Sequence, residues 1–278
     1  MAERDAKSVL ITGCSSGIGY VAANTLRARG YRVFASARKQ RDADLLASEG
    51  FHAVRLDLDD SQSIADALAQ VLEQTDGQLY ALFNNGAYGQ PGAIEDLSRD
   101  ALRSQFETNL FGWHDLTQRV IPIMRDQGRG RIIQNSSVLG LVALPFRGAY
   151  TASKFALEGL SDTLRMELHG SGVHVSLIEP GPIESLFRAN SLIMARKNID
   201  MKNSVHRESY LATVERLQKE GPAVPFTLPP EAVLRRVIHA LESPRPKARY
   251  HVTVPTYLLG ILKRLLSSEA LDWVARKV

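Results

Sequence analysis

The chain has 278 residues, of which 44% are hydrophobic and 23% charged, a composition typical of globular proteins and unlike that of disordered or collagen-like chains. Its one cysteine, Cys14, excludes an intramolecular disulfide framework and a cysteine-built metal site. The formal net charge is +4, but residues 186–278 hold 16 basic and 8 acidic side chains. Such a basic tail can contact nucleic acid or a membrane, although a solvated basic face explains it more simply. We therefore expect no nucleic-acid partner.

The N-terminal segment is mixed in charge and leads directly into an apolar run, which predicts neither a secretory nor a mitochondrial leader. No uncharged apolar stretch reaches the ~18–20 residues that span a bilayer. We expect a cytoplasmic protein, and a membrane-associated one remains an alternative.

Short apolar runs alternate with longer amphipathic stretches along the chain. Strands are predicted at 8–12, 31–36, 51–56, 79–84, 131–136, 173–178 and 250–254. Helices are predicted at 17–29, 61–74, 150–169 and 231–241, with Ser61 as the N-cap of the second. This alternation predicts an α/β fold with a doubly wound parallel sheet (Rossmann fold). No Gly-, Pro- or Ser-rich linker divides the chain, so we expect a single domain.

A glycine-rich turn separates the first predicted strand from the first predicted helix. It reads Thr12-Gly13-Cys14-Ser15-Ser16-Gly17-Ile18-Gly19. Glycines allow the backbone to approach a phosphate closely, and the helix N-terminus offers free N–H groups and a partial positive charge. The spacing is neither the common dinucleotide fingerprint nor a Walker loop, which needs a lysine.

The same letters match the G-x-S-x-G nucleophile elbow of hydrolases, with Ser15 as nucleophile and His239 or His251 as its partner. Only about a dozen residues precede Ser15, too few for the strand and loop that build an oxyanion hole in that fold. We therefore favour phosphate binding.

Tyr150 and Lys154 lie four residues apart on a predicted helix, which places them on one face. Ser137 ends a predicted central strand, and Asn109 lies further upstream in the segment 107–112. Two more motifs end predicted strands: Asn84-Asn85-Gly86-Ala87 and Pro180-Gly181-Pro182-Ile183.

With the glycine loop, these motifs closely resemble the short-chain dehydrogenase/reductase family over about residues 7–186. They are most similar to its retinol and hydroxysteroid dehydrogenase-like branch, and more narrowly to bacterial NADP-dependent aldehyde and retinal reductases. The resemblance implies that residues 7–186 form the cofactor-binding and catalytic core and that residues 187–278 form the substrate-binding region. It also implies a homodimer or homotetramer.

The resemblance also implies roles for individual residues. Tyr150 would be the general acid/base, Ser137 would bind the substrate carbonyl, and Lys154 would hold the nicotinamide ribose. Asn109 would anchor a water that relays protons from Lys154. The implied cofactor-binding residues are Thr12, Gly13, Ser15, Ser16, Gly17, Ile18, Gly19, Asp57, Leu58, Asn84, Gly86, Tyr150, Lys154, Pro180, Gly181 and Ile183.

Two positions depart from the family pattern. The family usually has Asn-Asn-Ala-Gly where this chain has Asn84-Asn85-Gly86-Ala87, which affects the local backbone more than the chemistry. The family often has Thr where Ser185 stands, and its hydroxyl still offers a hydrogen bond.

The end of the second predicted strand indicates the cofactor. NAD enzymes place an acidic residue there, whereas this chain reads Ser36-Ala37-Arg38-Lys39. Arg38 can pair with the 2′-phosphate of NADP, although Arg38 and Lys39 could also be a simple basic turn. We predict NADP(H), with NAD(H) less favoured. No metal is expected, because the seven histidines show no ligand spacing.

The C-terminal third allows several interpretations. Leu186, Phe187, Leu192, Ile193 and Met194 could form an apolar lid over a lipophilic substrate or belong to the core. Leu258, Ile261, Leu262 and Leu265 share one face of a predicted amphipathic helix. That face could pack in the core, in a dimer, or on an anionic membrane surface.

These observations predict an NADP(H)-dependent enzyme that interconverts a carbonyl and its alcohol. The expected substrates are lipophilic aldehydes, retinal or ketosteroid-like ketones. The alternative is a non-catalytic NADP-binding sensor or scaffold of the same fold. The intact set of Asn109, Ser137, Tyr150 and Lys154 favours the enzyme.

Overall fold

The computed structural model describes residues 6–222 and 224–277. The strands are β1 (Ser8–Ile11), β2 (Arg32–Ala37), β3 (His52–Arg55), β4 (Ala81–Asn84), β5 (Gly130–Asn135), β6 (Val173–Glu179) and β7 (Arg249–His251). The helices are α1 (Gly17–Ala28), α2 (Gln40–Ser48), α3 (Ser61–Gln74), α4 (Arg99–Phe106), α5 (Gly112–Asp126), α6 (Gly148–Glu167), α7 (Phe187–Asn198), α8 (Arg207–Gln218), α9 (Glu231–Glu242), α10 (Val254–Leu265) and α11 (Ser268–Ala275).

The strands form one parallel sheet in the order β3-β2-β1-β4-β5-β6-β7. From β1, the chain adds strands first on one side of the sheet (β2, β3) and then on the other (β4 to β7), so the strand order reverses between β1 and β4. In such sheets, ligands bind in the crevice outside the carboxyl ends of the strands on either side of this switch point. The predicted fold class is confirmed.

Each face of the sheet carries its own apolar layer. In β1, Val9 and Ile11 belong to the layer that includes α1 and α9, whereas Leu10 belongs to the layer that includes α3 and α5. Since β1 is buried on both faces, its sequence Val9-Leu10-Ile11 is a continuous apolar run. The buried strands form a rigid support. The loops that follow their carboxyl ends, which carry the candidate site, are therefore held in place.

The predicted N-cap of α3 was wrong by one residue. Asp60 is the cap, since its Oδ1 atom accepts from the backbone N–H groups of Gln62 (2.9 Å) and Ser63 (3.2 Å). Ser61 is the first helical residue, and its hydroxyl donates to Asp115 at 2.6 Å. A carboxylate at the cap also interacts favourably with the helix dipole.

The C-terminal third is more helical than the sequence predicted. The polar segment 190–218 forms most of α7 and all of α8. The last strand ends at His251, because Pro255 lies in the first turn of α10, where proline favours a helix start. Core packing was the wrong interpretation for Leu258, Ile261 and Leu265, which are 54%, 55% and 75% exposed.

The described helices include none with both the length and the apolar character required to span a membrane. The assignment of residues 187–278 to substrate binding stays a prediction.

Candidate active site

The carboxyl ends of β1 and β4 are joined by hydrogen bonds at the switch point. The Thr12 hydroxyl accepts from the backbone N–H groups of Asn85 (2.8 Å) and Gly86 (2.9 Å). The Asn85 amide donates back to the carbonyl of Thr12 at 3.0 Å. These bonds hold the glycine loop against the loop that follows β4.

The glycine loop itself depends on the absence of side chains. Gly13 has φ +72°, and a Cβ atom there would lie 2.6 Å from the Cα atom of Gly86. A Cβ atom at Gly19 would lie 2.2 Å from the carbonyl oxygen of Gly13. Ser16, the N-cap of α1, makes no side-chain cap bond, and the first turn holds no acidic residue. The N-terminus of α1 therefore keeps free N–H groups, the arrangement that binds a diphosphate.

Tyr150 and Lys154 lie on the first turns of α6. The Lys154 side chain is buried, with only 1% of its surface exposed, and its Nζ atom donates to the carbonyl of Asn135 at 2.8 Å. Nζ lies 5.7 Å from the centroid of the Tyr150 ring and 4.1 Å from that of the Trp113 ring. The ammonium is therefore enclosed between two aromatic rings and the end of β5.

Burial shifts the titration of both side chains away from their usual ranges. It raises the pKa of Tyr150 to about 12, and a hydrogen bond with Ser137 acts in the opposite direction. It lowers the pKa of Lys154 to about 7, although the negative charge of Glu158 acts to raise it. Desolvation disfavours the charged form of each group. A charged ligand beside the pair would alter this balance.

Ser137 follows β5 and begins a short 3₁₀-helix, Val138–Gly140. Its hydroxyl accepts from the backbone N–H of Leu139 at 3.1 Å. The next residue, Val138, donates its backbone N–H to the carbonyl of Pro180 at 2.7 Å. The loop that carries Ser137 is thus tied to the Pro-Gly turn after β6.

Asn109 lies in a π-helical turn, Glu107–Phe111, between α4 and α5. Its side chain is fully buried, donates to the carbonyl of Tyr88 at 2.9 Å and accepts from the N–H of Tyr88 at 3.2 Å. Such π-helical turns are frequent at functional sites. The side chain holds the segment after β4 in place, and its part in a proton relay stays a prediction.

Residues beyond the carboxyl ends of β2 and β3, which pair with each other, line one end of the crevice. Arg38 is exposed just beyond β2 and makes no ion pair with any residue of the described ranges. Burial raises the pKa of the Tyr88 hydroxyl to about 12, with Asp59 acting in the same direction and Arg38 in the opposite one. Leu58 is buried, and its Cδ1 atom lies 3.3 Å from where a Cβ atom of Gly86 would be.

Asp57, next to Leu58, is engaged locally, since its Oδ1 atom accepts from the backbone N–H of Asp59 at 3.1 Å. Asp57 and Leu58 come just after β3. Because β3 pairs with β2, they lie on the same side of the crevice as Arg38.

Asn84 is buried at the end of β4, and its role in cofactor binding stays a prediction. Its side chain points into the protein and donates to Thr117 and Gln134, each at 3.0 Å. Any contact of Asn84 with a cofactor would therefore come from its main chain. The neighbouring Asn85 faces the glycine loop instead, and it accepts a hydrogen bond from the Asn135 amide at 2.9 Å.

Sequence reasoning missed Asn85, Asn135 and Trp113 as residues of the site. Asn85 lies within the motif Asn84-Asn85-Gly86-Ala87, and Asn135 lies within the strand predicted at 131–136. Trp113 carries no motif, and only its packing against Lys154 identifies it.

The segment after β6 packs against the glycine loop and against Tyr150. A Cβ atom at Gly181 would lie 2.1 Å from Oγ1 of Thr253, and Ile183 pairs with Leu228. Ser185 lies against the glycine loop, 3.2 Å from where a Cβ atom of Gly17 would be. The Phe187 ring makes an edge contact with the Tyr150 ring, with centroids 5.3 Å apart.

The alternative with Ser15 as a hydrolytic nucleophile has no support. Ser15 is exposed. His239 interacts with the Tyr250 hydroxyl at 2.8 Å, and His251 pairs with Glu179, so both candidate histidines are engaged elsewhere.

Known proteins resemble the whole chain. A family model described as short chain dehydrogenase matches residues 7–194. The uncharacterized oxidoreductase YbbO of Escherichia coli is 46% identical over 266 residues, covering 96% of this chain and 93% of the relative. Human 17-beta-hydroxysteroid dehydrogenase type 1 is 35% identical over 260 residues, covering 88% and 77%.

A solved structure of similar fold is also an oxidoreductase with a nicotinamide cofactor. Actinorhodin polyketide ketoreductase with NADPH superposes with a TM-score of 0.75 at 26% identity, covering 91% of this chain and 97% of that one. With a family model over more than half of the chain and a relative of 46% identity, the chain belongs to the short-chain dehydrogenase family of oxidoreductases.

Proposed function

We propose that this protein is an NADP(H)-dependent oxidoreductase that interconverts a lipophilic aldehyde or ketone and its alcohol. The observation that carries the proposal is the grouping of Tyr150, Ser137 and buried Lys154 beside the glycine loop, at the carboxyl ends of the central strands. This set supports a reaction in which one oxygen atom gains or loses a proton while a hydride is exchanged at carbon.

The crevice fits a nicotinamide dinucleotide. The uncapped N-terminus of α1 and the bare backbone at Gly13 suit the diphosphate. Leu58 and Asp57 would contact the adenine, and Lys154 would hold the ribose on the nicotinamide side. When bound, the reduced cofactor would supply the hydride that adds to the carbonyl carbon.

The residues of the chain would supply the proton and stabilise the developing charge. Tyr150 would donate its phenolic proton to the carbonyl oxygen, and Ser137 would donate a hydrogen bond to the same oxygen. A charged Lys154 lowers the cost of the Tyr150 phenolate that remains. In the direction of alcohol oxidation, the phenolate would accept the hydroxyl proton, and Asn109 would anchor the water through which protons exchange with solvent.

The preference for NADP(H) rests on Arg38. It extends beyond β2, at the position where NAD-binding folds carry an acidic residue, and no acidic side chain of the described residues is paired with it. A guanidinium can bind a 2′-phosphate through two parallel hydrogen bonds. The NADPH-bound polyketide reductase is a relative with this cofactor.

The preference for lipophilic substrates rests on α7. Phe187 contacts the Tyr150 ring, and Leu186 and Ile193 are exposed on the same segment. Apolar side chains next to the reacting groups favour a substrate with an apolar body. The steroid dehydrogenase among the relatives supports the same class, which includes retinal and ketosteroid-like ketones.

We also propose that the protein self-associates. One side of α10, the α10 face, is exposed and apolar and consists of Val254, Tyr257, Leu258, Ile261 and Leu265. The face holds no charged side chain. Lys263 lies on the other side of the helix, with its ammonium 5.8 Å from the Phe155 ring centroid. Arg236 donates to the Tyr257 hydroxyl at 3.4 Å, at one edge of the face. The homodimer or homotetramer that the family resemblance implies favours a second copy of the chain as the partner of this face.

Purified protein incubated with NADPH or NADH and a panel of carbonyls tests the enzymatic proposal. The panel is decanal, retinal and a ketosteroid, and the loss of nicotinamide absorbance is followed. We expect faster oxidation of NADPH than of NADH. Tyr150→Phe is expected to lose about 10²–10⁴-fold in kcat while it still binds NADPH, because the variant lacks only the proton donor. Near-normal turnover in this variant, or no cofactor binding by the parent protein, would refute the proposal.

A further inference from the structure

A cluster of charged side chains lies behind Lys154, on the side away from the crevice. Glu158 follows Lys154 by one turn of α6 and is buried. One of its carboxylate oxygens accepts from the hydroxyl of Ser136, the residue before Ser137. The other pairs with Arg249 of β7. Glu158 thus connects the helix that carries Tyr150 with the strand end that carries Ser137.

Arg249 is shared among three carboxylates. Besides Glu158, its guanidinium binds Glu179 at 2.6 Å and Asp162 at 2.6 Å. Glu179 ends β6, immediately before the Pro-Gly turn, and it also pairs with His251. The cluster therefore joins the ends of three neighbouring strands to α6.

Lys154 makes no direct ion pair within the described ranges. Its one hydrogen bond goes to the neutral carbonyl of Asn135. An almost fully buried ammonium without a nearby negative charge is costly and tends to lose its proton. Glu158 is the carboxylate that acts on Lys154, with Arg249, Glu179 and Asp162 behind it and His251 and Arg264 at the edge of the cluster.

We propose that Glu158 is a positioning residue for the reaction, since its buried carboxylate stands one turn from Lys154 on α6, where it favours the ammonium form, and fixes the strand end next to Ser137. This inference rests on the proposed function for its catalytic consequence. Its electrostatic part concerns the protein alone and can be measured without substrate.

The sign of the effect follows from the neighbouring charges. Burial raises the pKa of Glu158 to about 7, and Glu179 acts in the same direction, while Ser136 and Arg249 oppose the shift. Burial lowers the pKa of Lys154 to about 7 against the attraction of Glu158. Replacing Glu158 with glutamine removes this attraction, so the pKa of Lys154 should fall further.

The direct test is the titration of the cofactor-free protein labelled with ¹³C at lysine Cε, followed by NMR. Lys154→Arg assigns the signal. We expect Glu158→Gln to lower the pKa of Lys154 by about 1 unit or more. Asp162→Asn is the matched control, because Asp162 binds the same arginine but lies two turns from Lys154, and it should leave the Lys154 signal nearly unchanged.

A second readout follows the pH profile of the reaction. When the charge on Lys154 is lost, the pKa of Tyr150 rises, so the ascending limb of kcat for alcohol oxidation should move to higher pH in Glu158→Gln. KM for the alcohol should change little, and Asp162→Asn should keep the parent profile. A purely structural role would lower the rate at every pH without moving the limb.

The outcomes separate the inference from the proposed function. An unchanged Lys154 titration in Glu158→Gln, or an equal shift in Asp162→Asn, overturns the inference. If Glu158→Gln does not fold, Glu158→Asp replaces it, and we still expect the pKa of Lys154 to fall below that of the parent protein, because the shorter side chain moves the carboxylate away. If the parent protein reduces no carbonyl of the panel, the proposed function fails, whereas the NMR titration still decides the role of Glu158.

Discussion

The Nζ atom of Lys154 lies 4.1 Å from the centre of the Trp113 ring, and the indole N–H of Trp113 donates to the carbonyl of Gly86 at 2.7 Å. Trp113 therefore joins the buried lysine of α6 to the loop that follows β4. A buried cation over an indole face is stabilised by about 2 kcal/mol. The indole serves the site in two ways, through its face and through its N–H group.

Substitutions of Trp113 should separate these two contributions. Trp113→Phe keeps an aromatic face for Lys154 but loses the bond to Gly86, and Trp113→Leu loses both. We expect kcat to fall further in the leucine variant, and its Lys154 to lose its proton at lower pH. Steady-state kinetics and lysine NMR measure both effects, with Trp273→Leu, at an exposed site, as control. Parent-like kcat and Lys154 titration in Trp113→Leu would contradict the assignment.

Substitution of Arg38 should change the cofactor preference. Because a charge-assisted pair contributes about 1.5–3 kcal/mol, Arg38→Ala should weaken NADPH binding by roughly 10–100-fold and leave NADH binding nearly unchanged. Arg38→Asp should further disfavour NADPH by repulsion. Fluorescence titration gives both dissociation constants, and Lys39→Ala is the neighbouring control. Equal losses for the two cofactors would contradict a contact with the 2′-phosphate.

Much of the fold could be predicted from the sequence, because local patterns determine it. The apolar run of β1 is typical of a strand in a sheet covered on both faces, and the glycines between Gly13 and Gly19 indicate a tight turn. The helix predicted at 150–169 corresponds to α6, which carries Tyr150 and Lys154. The errors were local, as at Asp60, where the stronger cap stood one residue before the one we predicted.

The features that the sequence did not predict depend mainly on contacts between residues far apart in the chain. Asn84 and Asn85 are adjacent and identical, and only the strand pairing decides that Asn84 turns inward. Glu158 and Arg249 are 91 residues apart, so no local pattern relates them. The helices α7 and α8 each bury only two of their twelve residues, which leaves a weak apolar period in the sequence.

Two helical glycines provide a matched test of the glycine loop. In Gly19→Ala, the new methyl group would lie 2.2 Å from the carbonyl of Gly13, so the loop must shift, and both stability and cofactor binding should decrease. In Gly159→Ala on α6, the methyl group meets no atom within 4 Å, and stability should rise by about 0.5–1 kcal/mol. Thermal melting and NADPH titration check both variants. Unchanged NADPH affinity in Gly19→Ala would argue against the predicted diphosphate site.

The ion pairs of Arg249, whose partners include buried carboxylates, and of Arg29, whose partner is exposed, should differ in their contribution to stability. Arg249→Met leaves Glu158 and Glu179 buried without their cation, so the free energy of unfolding should fall by about 3–5 kcal/mol. Arg29 binds Glu242 through two bonds of 2.9 and 2.8 Å, but both side chains are exposed. Arg29→Met should therefore cost about 0–1 kcal/mol. Urea unfolding at neutral pH compares them, and equal losses would mean that burial of the carboxylates is unimportant.

The α10 face predicts the oligomeric state. Its side chains are apolar and exposed over three helical turns, whereas Lys263 lies over Phe155 on the other side of the helix. A variant with Leu258→Ser, Ile261→Ser and Leu265→Ser should therefore have a lower molar mass in light scattering than the parent protein, because the apolar contact between copies is lost.

The control for this experiment is Leu45→Ser, which removes an equally exposed leucine from α2 and should leave the molar mass unchanged. Vesicles of phosphatidylcholine with and without phosphatidylglycerol test the membrane alternative. If the triple variant keeps the mass of the parent but no longer sediments with anionic vesicles, a lipid surface covers this face and not a second copy. If a second copy covers the face, as we propose, the triple variant should lose mass, and the parent protein should bind neither vesicle.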